Sequence, residues 1–407
     1  MSDKPPYAGA VSRRAAVGLG AAAIVASVAS DASAAATLWS DVDGRARRLV
    51  RDRLTPGIAL SVMRKGRFLH SRGFGLANVE TQTPVSPTSV FKIGSVTKQF
   101  TAAAMLLLAE DGKLSIDDTL STVIPDFPRA RDITFRQMLT HTSGLGNYTD
   151  IQPPEAFLQA ARRDYDAEAQ FDLMAATQPL FIAEPGAGWA YSNTAYVLLG
   201  LVIAKVAGMP YGQFYRRRLF DKAGLKDTAV DAAGVVVSRR VSGYTPNLSA
   251  VTGFDNASFI SMTFPGAAGS IRSTSEDLCR WHAALLGGRI LRPESLRQML
   301  TPGRLKDGSQ PVALVAAGQL GKGALIDYGL GLLIGPFAGR ASIDHQGGIN
   351  GFASELRSFR SEGVTISVLL NTDGNARLGP SASGLMDALV RAAFTDGNGA
   401  GQPREKA

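Results

Sequence analysis

A hydroxyl and an amine stand three residues apart, Ser95 and Lys98, in "FKIGSVTKQFTAAAMLLLAEDGKL" from Phe91 to Leu114. From Phe100 to Ala109 almost every residue is apolar, on all sides of any helix drawn through the segment, which is the pattern of an interior helix. Lysine is among the residues least often buried, so its placement in the first turn needs a reason. Residues three apart share a helix face, and the two side chains can meet. The positive end of the helix dipole favours a developing alkoxide on Ser95 and disfavours an ammonium on Lys98. Burial pushes the lysine the same way, toward a free amine that accepts a proton. The pair therefore reads as nucleophile plus base. Taken alone, S-x-x-K also fits a helix cap beside a snorkelling lysine. A second pair, Cys279 and His282 in "SEDLCRWHAALL", lies one helical turn apart, but Leu278, Trp281, Leu285 and Leu286 surround it. Cys279 reads as a small buried hydrophobe rather than a nucleophile.

The elements that must position these groups follow from the pattern of the chain. "GIALSVM", the turn "RKGR" and "FLHSRGFG" predict a hairpin near residues 57–74. "YGLGLLIG", "RASIDHQG", "FASELRSF" and "VTISVLLNT" predict four strands separated by Gly-containing turns, and "GLMDALVRAAF" predicts a closing helix. Between these brackets the pattern is helical: 95–111, "FRQMLTH", "EAFLQAARRDY", "TAYVLLGLVIAKVAG", "YGQFYRRRLFDKAG" and "SEDLCRWHAALLGG". Chain ends pairing in one sheet, with a helical insertion between, give an α+β arrangement of two lobes, a sheet lobe from about residues 45–95 and 325–395 and a helical lobe from about 96–324.

Two further motifs join Ser95 and Lys98. "WAYSNTAYVLLG" sets Tyr191 and Asn193 directly before another apolar helix, and "IDHQGGINGF" sets His345, Gly347 and Gly348 in the strand-rich C-terminal part. Ser95-Val96-Thr97-Lys98, Tyr191-Ser192-Asn193 and His345-Gln346-Gly347 resemble, in order and spacing, the three motifs of the serine β-lactamase and penicillin-binding protein superfamily. The Tyr-x-Asn motif looks like that of class C β-lactamases and D-alanyl-D-alanine carboxypeptidases. "LTHTSGL" and "GAAGSIRSTSEDL" are also typical of the group, and the resemblance spans residues 45–395. It implies a β-lactamase/transpeptidase-like fold, with an antiparallel sheet built from both chain ends, flanking helices and an inserted helical lobe.

The resemblance implies a serine hydrolase that forms an acyl-enzyme on Ser95 and needs no cofactor or metal. Tyr191, held near Lys98 and a helix start, is expected to titrate below the ordinary phenol value of about 10 and to carry a proton to the leaving group. Asn193 can donate to a substrate carbonyl and accept from Lys98, or cap its helix. Gly347 and Gly348 are expected to let a substrate backbone approach closely. The resemblance also implies an oxyanion hole formed by the amides of Ser95 and Gly348. His345 stands where many β-lactamases carry lysine. Neutral at pH 7, it is expected to hold a substrate carboxylate only weakly, and better as pH falls through about 6.5. His141, in "HTSGL", reads as structural, fixing the turn before the insert. The substrate is thus expected to be a D-amino-acid peptide or an ester, with a β-lactam as the alternative. A non-catalytic binding protein on the same fold is a further alternative.

The remaining composition sets limits. The chain has 407 residues, 45% hydrophobic and 19% charged, with a formal net charge of +8. Lysines and arginines are scattered, with no run longer than Arg216-Arg217-Arg218, so no basic face for a nucleic acid is visible. No G-x-S-x-G, H-E-x-x-H, P-loop or dinucleotide fingerprint occurs, and histidines stand only at 70, 141, 282 and 345. "SRRAAVGLGAAAIVASVASDASAAA", with Arg13-Arg14 and the Ala32-Ser33-Ala34 site, resembles a twin-arginine export signal over residues 1–34. Its apolar stretch, Ala15 to Ala29, is short for a span of about 20 residues, so no lasting membrane insertion is expected, an uncleaved anchor being the alternative. Export would place the mature chain in the periplasm or medium, where the single cysteine cannot form an internal disulfide. Residues 396–407, Gly-rich and polar, are expected to be a disordered tail.

Overall fold

The computed structural model describes residues 36–316, 321–373 and 378–395; the twin-arginine segment and the C-terminal tail lie outside the described residues. A helix over 36–51, α1, precedes the hairpin of β1 (Gly57–Arg64) and β2 (Arg67–Asn78). Lys65 and Gly66 join the two strands with φ of 47° and 80°. Two left-handed residues make the turn whose twist matches that of the flanking strands. A short β3 (Thr83–Pro84) pairs with β2. Near the other end come β4 (Leu333–Phe337), β5 (Arg340–Ile349), β6 (Phe352–Phe359) and β7 (Val364–Leu370). The sheet order is β3-β2-β1-β7-β6-β5-β4, and every pairing is antiparallel. The first and last strands therefore meet at the centre, as the α+β reading requires.

Side-chain alternation gives the sheet two covered faces. Ile58, Leu60 and Val62 of β1, with Ile366 and Val368 of β7, pack on Val42, Ala46 and Leu49 of α1 and on Leu389 of the C-terminal helix Leu378–Thr395. The 36–51 helix is absent from the sequence reading: Gly44 and the Asp41/Asp43 pair blur an apolar stripe that only the sheet's rear face makes necessary. On the opposite face β1 presents Ala59 and Ser61, small enough for the helix Ser275–Leu286 to lie close; Ser61 Oγ is 2.8 Å from Ser275 Oγ. Cys279 is buried in this contact, its Sγ 3.5 Å from the Ser61 carbonyl.

The greasy segment forms α2 (Lys98–Glu110), and every residue from Lys98 to Leu108 is buried. Phe100 stacks on Trp281 at 4.1 Å. The helix Asn193–Ala207, α3, lies beside α2 in the same core. On another side α3 meets the short helix Gly266–Gly269, and this approach needs Gly200, where a Cβ would sit 2.5 Å from that of Ala267. Among the described residues no single helix is long and apolar enough to cross a membrane.

Candidate active site

Phe91-Lys92 form a short strand, and the chain then turns through Gly94, at φ +49°, into a 3-10 turn over Gly94–Thr97 that runs straight into α2. Ser95 thus sits in that turn and Lys98 opens the α-helix. A side chain on Gly94 would strike the backbone of Gly348, 2.8 Å away. Ser95 is half-buried, whereas Lys98 is fully buried.

Lys98 Nζ lies 2.7 Å from Asn193 Oδ1, 2.9 Å from the Ala268 carbonyl and 3.2 Å from Ser95 Oγ. None of these partners carries a charge. Burial alone holds the lysine well below its ordinary pKa. A neutral amine has two N–H groups and one lone pair. Asn193 Oδ1 and the Ala268 carbonyl take the two N–H groups, which leaves the lone pair for the Ser95 hydroxyl proton.

Tyr191 covers this pair. Lys98 Nζ lies 4.7 Å from its ring centroid, and its hydroxyl is near enough to Ser95 for that side chain to act on its pKa. The expectation of a lowered pKa is corrected here: burial raises the phenol well above its ordinary value, and the Ser95 side chain offsets only part of that. Tyr191 is a neutral phenol in the resting site. Asn193 is the first residue of α3, and the cap is Ser192, whose Oγ accepts from the Ala195 amide. The Asn193 amide donates to Asn147 Oδ1 and its Nδ2 to Thr149 Oγ1, at 3.1 and 3.3 Å. Asn147 and Thr149 went unnoticed in the sequence, although they directly follow "HTSGL".

His345 is buried, its Nδ1 2.5 Å from the Gln346 carbonyl and its Nε2 2.9 Å from Tyr328 Oη. The carbonyl can only accept, so Nδ1 carries the proton and Nε2 accepts from the phenol. Burial, with the nearby Lys98, pushes its pKa down to about 3. The expectation that His345 gains charge near pH 6.5 and grips a carboxylate is therefore overturned: both ring nitrogens are engaged and the ring is neutral. The Cβ position of Gly347 faces inward, toward the Ile93 carbonyl, while the space beside Gly348 is open, and both glycines line the cavity described next. Ser354 Oγ also donates to the Ile93 carbonyl, tying β6 to the segment that carries Ser95.

A cavity of about 690 Å³ opens on Ser95, Tyr191, His345, Gly347 and Gly348. Trp189, Leu325, Leu333 and Phe337 give it an apolar wall, and Asp344 and Arg357 also line it. Arg357 donates to Asp344 at 3.1 Å and to Glu355 at 2.9 Å. Burial lifts Asp344 to about 6 against the pull of Arg357. Cys279 and His282 lie elsewhere: burial raises the thiol, and the imidazole is bonded to Ser358 and Gln99, so this pair offers no nucleophile.

A family model described as Beta-lactamase matches residues 42–390. The chain is 28% identical over 338 residues to the putative penicillin-binding protein PbpX of Bacillus subtilis, across 78% of this chain and 71% of that protein. It is 31% identical over 205 residues to esterase EstB of Burkholderia gladioli, across 47% of this chain and 52% of the esterase. Among solved structures, the D-amino acid amidase from Ochrobactrum anthropi SV3, complexed with L-phenylalanine amide, is similar with a TM-score of 0.74. That likeness has 25% identity and covers 88% of this chain and 98% of the amidase.

Proposed function

The chain belongs to the beta-lactamase family of serine hydrolases, and from that premise we propose that it cleaves small amides or esters through an acyl-enzyme on Ser95. Ser95 Oγ attacks the substrate carbonyl carbon as its proton passes to Lys98 Nζ. The amides of Ser95 and Gly348 hold the negative oxygen of the tetrahedral intermediate. As the C–N or C–O bond breaks, the proton moves from Lys98 through Tyr191 to the leaving amine or alcohol. Water then adds to the acyl carbon, gives its proton back along the same groups and releases Ser95. The observation that carries this reading is the Lys98 amine, buried among two neutral carbonyl oxygens and the Ser95 hydroxyl.

The preferred substrates are D-amino-acid amides or peptides and esters with an apolar acyl side. Trp189, Leu325, Leu333 and Phe337 suit such a group, and the neutral His345 supplies no cation for a β-lactam carboxylate. The similarity to a D-amino acid amidase and to an esterase supports the same ranking. The test compares kcat/KM for D- and L-phenylalanine amide, a p-nitrophenyl ester and a penicillin. Turnover of an amide or ester above the penicillin is expected; a penicillin hydrolysed best would replace this reading with a β-lactamase.

A further inference from the structure

His141 stands at φ +61°, in the left-handed region that a side chain other than glycine rarely adopts. From there it accepts two hydrogen bonds from one neighbouring strand of chain. The Ala190 amide donates to the His141 carbonyl at 2.9 Å, and the Ser192 amide donates to His141 Nδ1 at 3.1 Å. These are the amides on either side of Tyr191. The imidazole also packs against the Tyr191 ring, with centroids 4.4 Å apart.

A backbone amide can only donate, so Nδ1 carries no proton and the neutral ring holds its hydrogen on Nε2. Nε2 has no hydrogen-bond partner among the described residues. Burial, with Lys98 and His345 nearby, keeps the ring from charging. The Nε2 proton of His141 therefore has no partner among the described residues to pass to, and neither ring nitrogen is hydrogen-bonded to Ser95. What it fixes is the backbone from which the Tyr191 hydroxyl reaches Ser95. The same segment has further anchors that do not involve His141: Ser192 Oγ donates to the Gly146 carbonyl, and the Trp189 amide to that of Val312.

We propose that His141 is a positioning residue, whose carbonyl and Nδ1 together set the aim of the Tyr191 hydroxyl on Ser95. The inference rests on the reading of Tyr191 as the proton carrier. It predicts coupling between residues 141 and 191 that a role in general folding would not produce.

The test is a double-mutant cycle on D-phenylalanine amide, whose leaving amine must take up a proton, with His141→Gly, His141→Asn and Tyr191→Phe. Asparagine tolerates positive φ and carries an acceptor where His141 has Nδ1; glycine tolerates the backbone but has no acceptor. His141→Gly is expected to lower kcat about 10- to 100-fold with KM little changed, the scale of a misplaced reacting group. His141→Asn should restore kcat to within about threefold, and in the Tyr191→Phe background His141→Gly should cost less than about threefold, as for residues acting as one unit. Equal losses in both backgrounds, or an asparagine variant as slow as the glycine one, would overturn the proposal. If His141→Gly does not fold, His141→Leu, which keeps bulk without the acceptor, takes its place in the cycle. Tyr191→Phe with the parent's kcat would overturn the relay itself, and this inference with it.

Discussion

Gly347 and Ile93 come so close that a Cβ on the glycine would lie 2.1 Å from the Ile93 carbonyl oxygen. The contact seats β5 against the turn that presents Ser95, so it links the sheet to the nucleophile. The Ser354 hydroxyl crowds the same point, and the Ile93 carbonyl, being backbone, cannot swing aside as a side chain could. Gly347→Ala is expected to destabilise the fold by about 1–3 kcal/mol, as overpacking does, and to reduce activity. Gly348→Ala, whose Cβ would enter open space, should melt close to the parent. Thermal melts of the two variants check this; equal melting temperatures would show that the Ile93 contact is not a constraint.

Lys98 folds into the protein with its pKa well below 10.5. Between those two values the unfolded chain binds the proton more tightly, so the buried amine opposes folding there, and the opposition fades as pH rises toward 10.5. Lys98→Met removes the titration. Its Tm relative to the parent should be highest near neutral pH and should fall as pH is raised to about 10. The variant should also lose several orders of magnitude in kcat/KM, as when one member of a cooperating set is removed. A Tm difference that does not change with pH would contradict a neutral buried lysine.

His345 and His282 both sit near pKa 3 in the folded protein. For a histidine lowered in this way, stability is complete above about pH 6.5 and is lost as pH falls toward the folded value, because the unfolded chain takes up the proton first. Tm of the parent should therefore drop between about pH 6.5 and 4. His282→Gln, remote from Ser95 but able to keep the Gln99 contact, should make that drop shallower. Parallel curves would remove His282 from the acid response.

The neutral His345 also makes a kinetic prediction. The ratio of kcat/KM for a carboxylate-bearing peptide to that for a neutral ester should stay flat from about pH 5 to 8, since protonation of the base cancels in the ratio. A rise toward low pH would restore the carboxylate-holding role read from the sequence.

Much of this site could be read in the chain because its signals are local. Ser95 and Lys98 stand out as polar groups at the mouth of an apolar helix, and Lys65-Gly66 marks the hairpin between two strand-like runs. The errors concern what distant segments do. Tyr191 looked ready to lose a proton because the sequence shows a helix start beside it, not the burial among Trp189, His141 and Tyr328 that raises its pKa. His345 gave no sign of Tyr328, which comes from the segment before β4 and occupies Nε2. Nor did the sequence show that the Cβ position of Gly347 faces Ile93, which comes from the N-terminal part of the chain. Residue types announced the chemistry; protonation states and facing partners came only with the packing.

Covalent capture of Ser95 tests the central claim most directly. The protein is treated with a fluorophosphonate, its intact mass is measured, and the modified peptide is sequenced, alongside Ser95→Ala and Lys98→Ala. One adduct on Ser95 is expected in the parent, none in Ser95→Ala, and greatly slowed labelling in Lys98→Ala. An adduct on another residue, or Ser95→Ala that still hydrolyses the p-nitrophenyl ester at the parent's rate, would contradict the acyl-enzyme on Ser95.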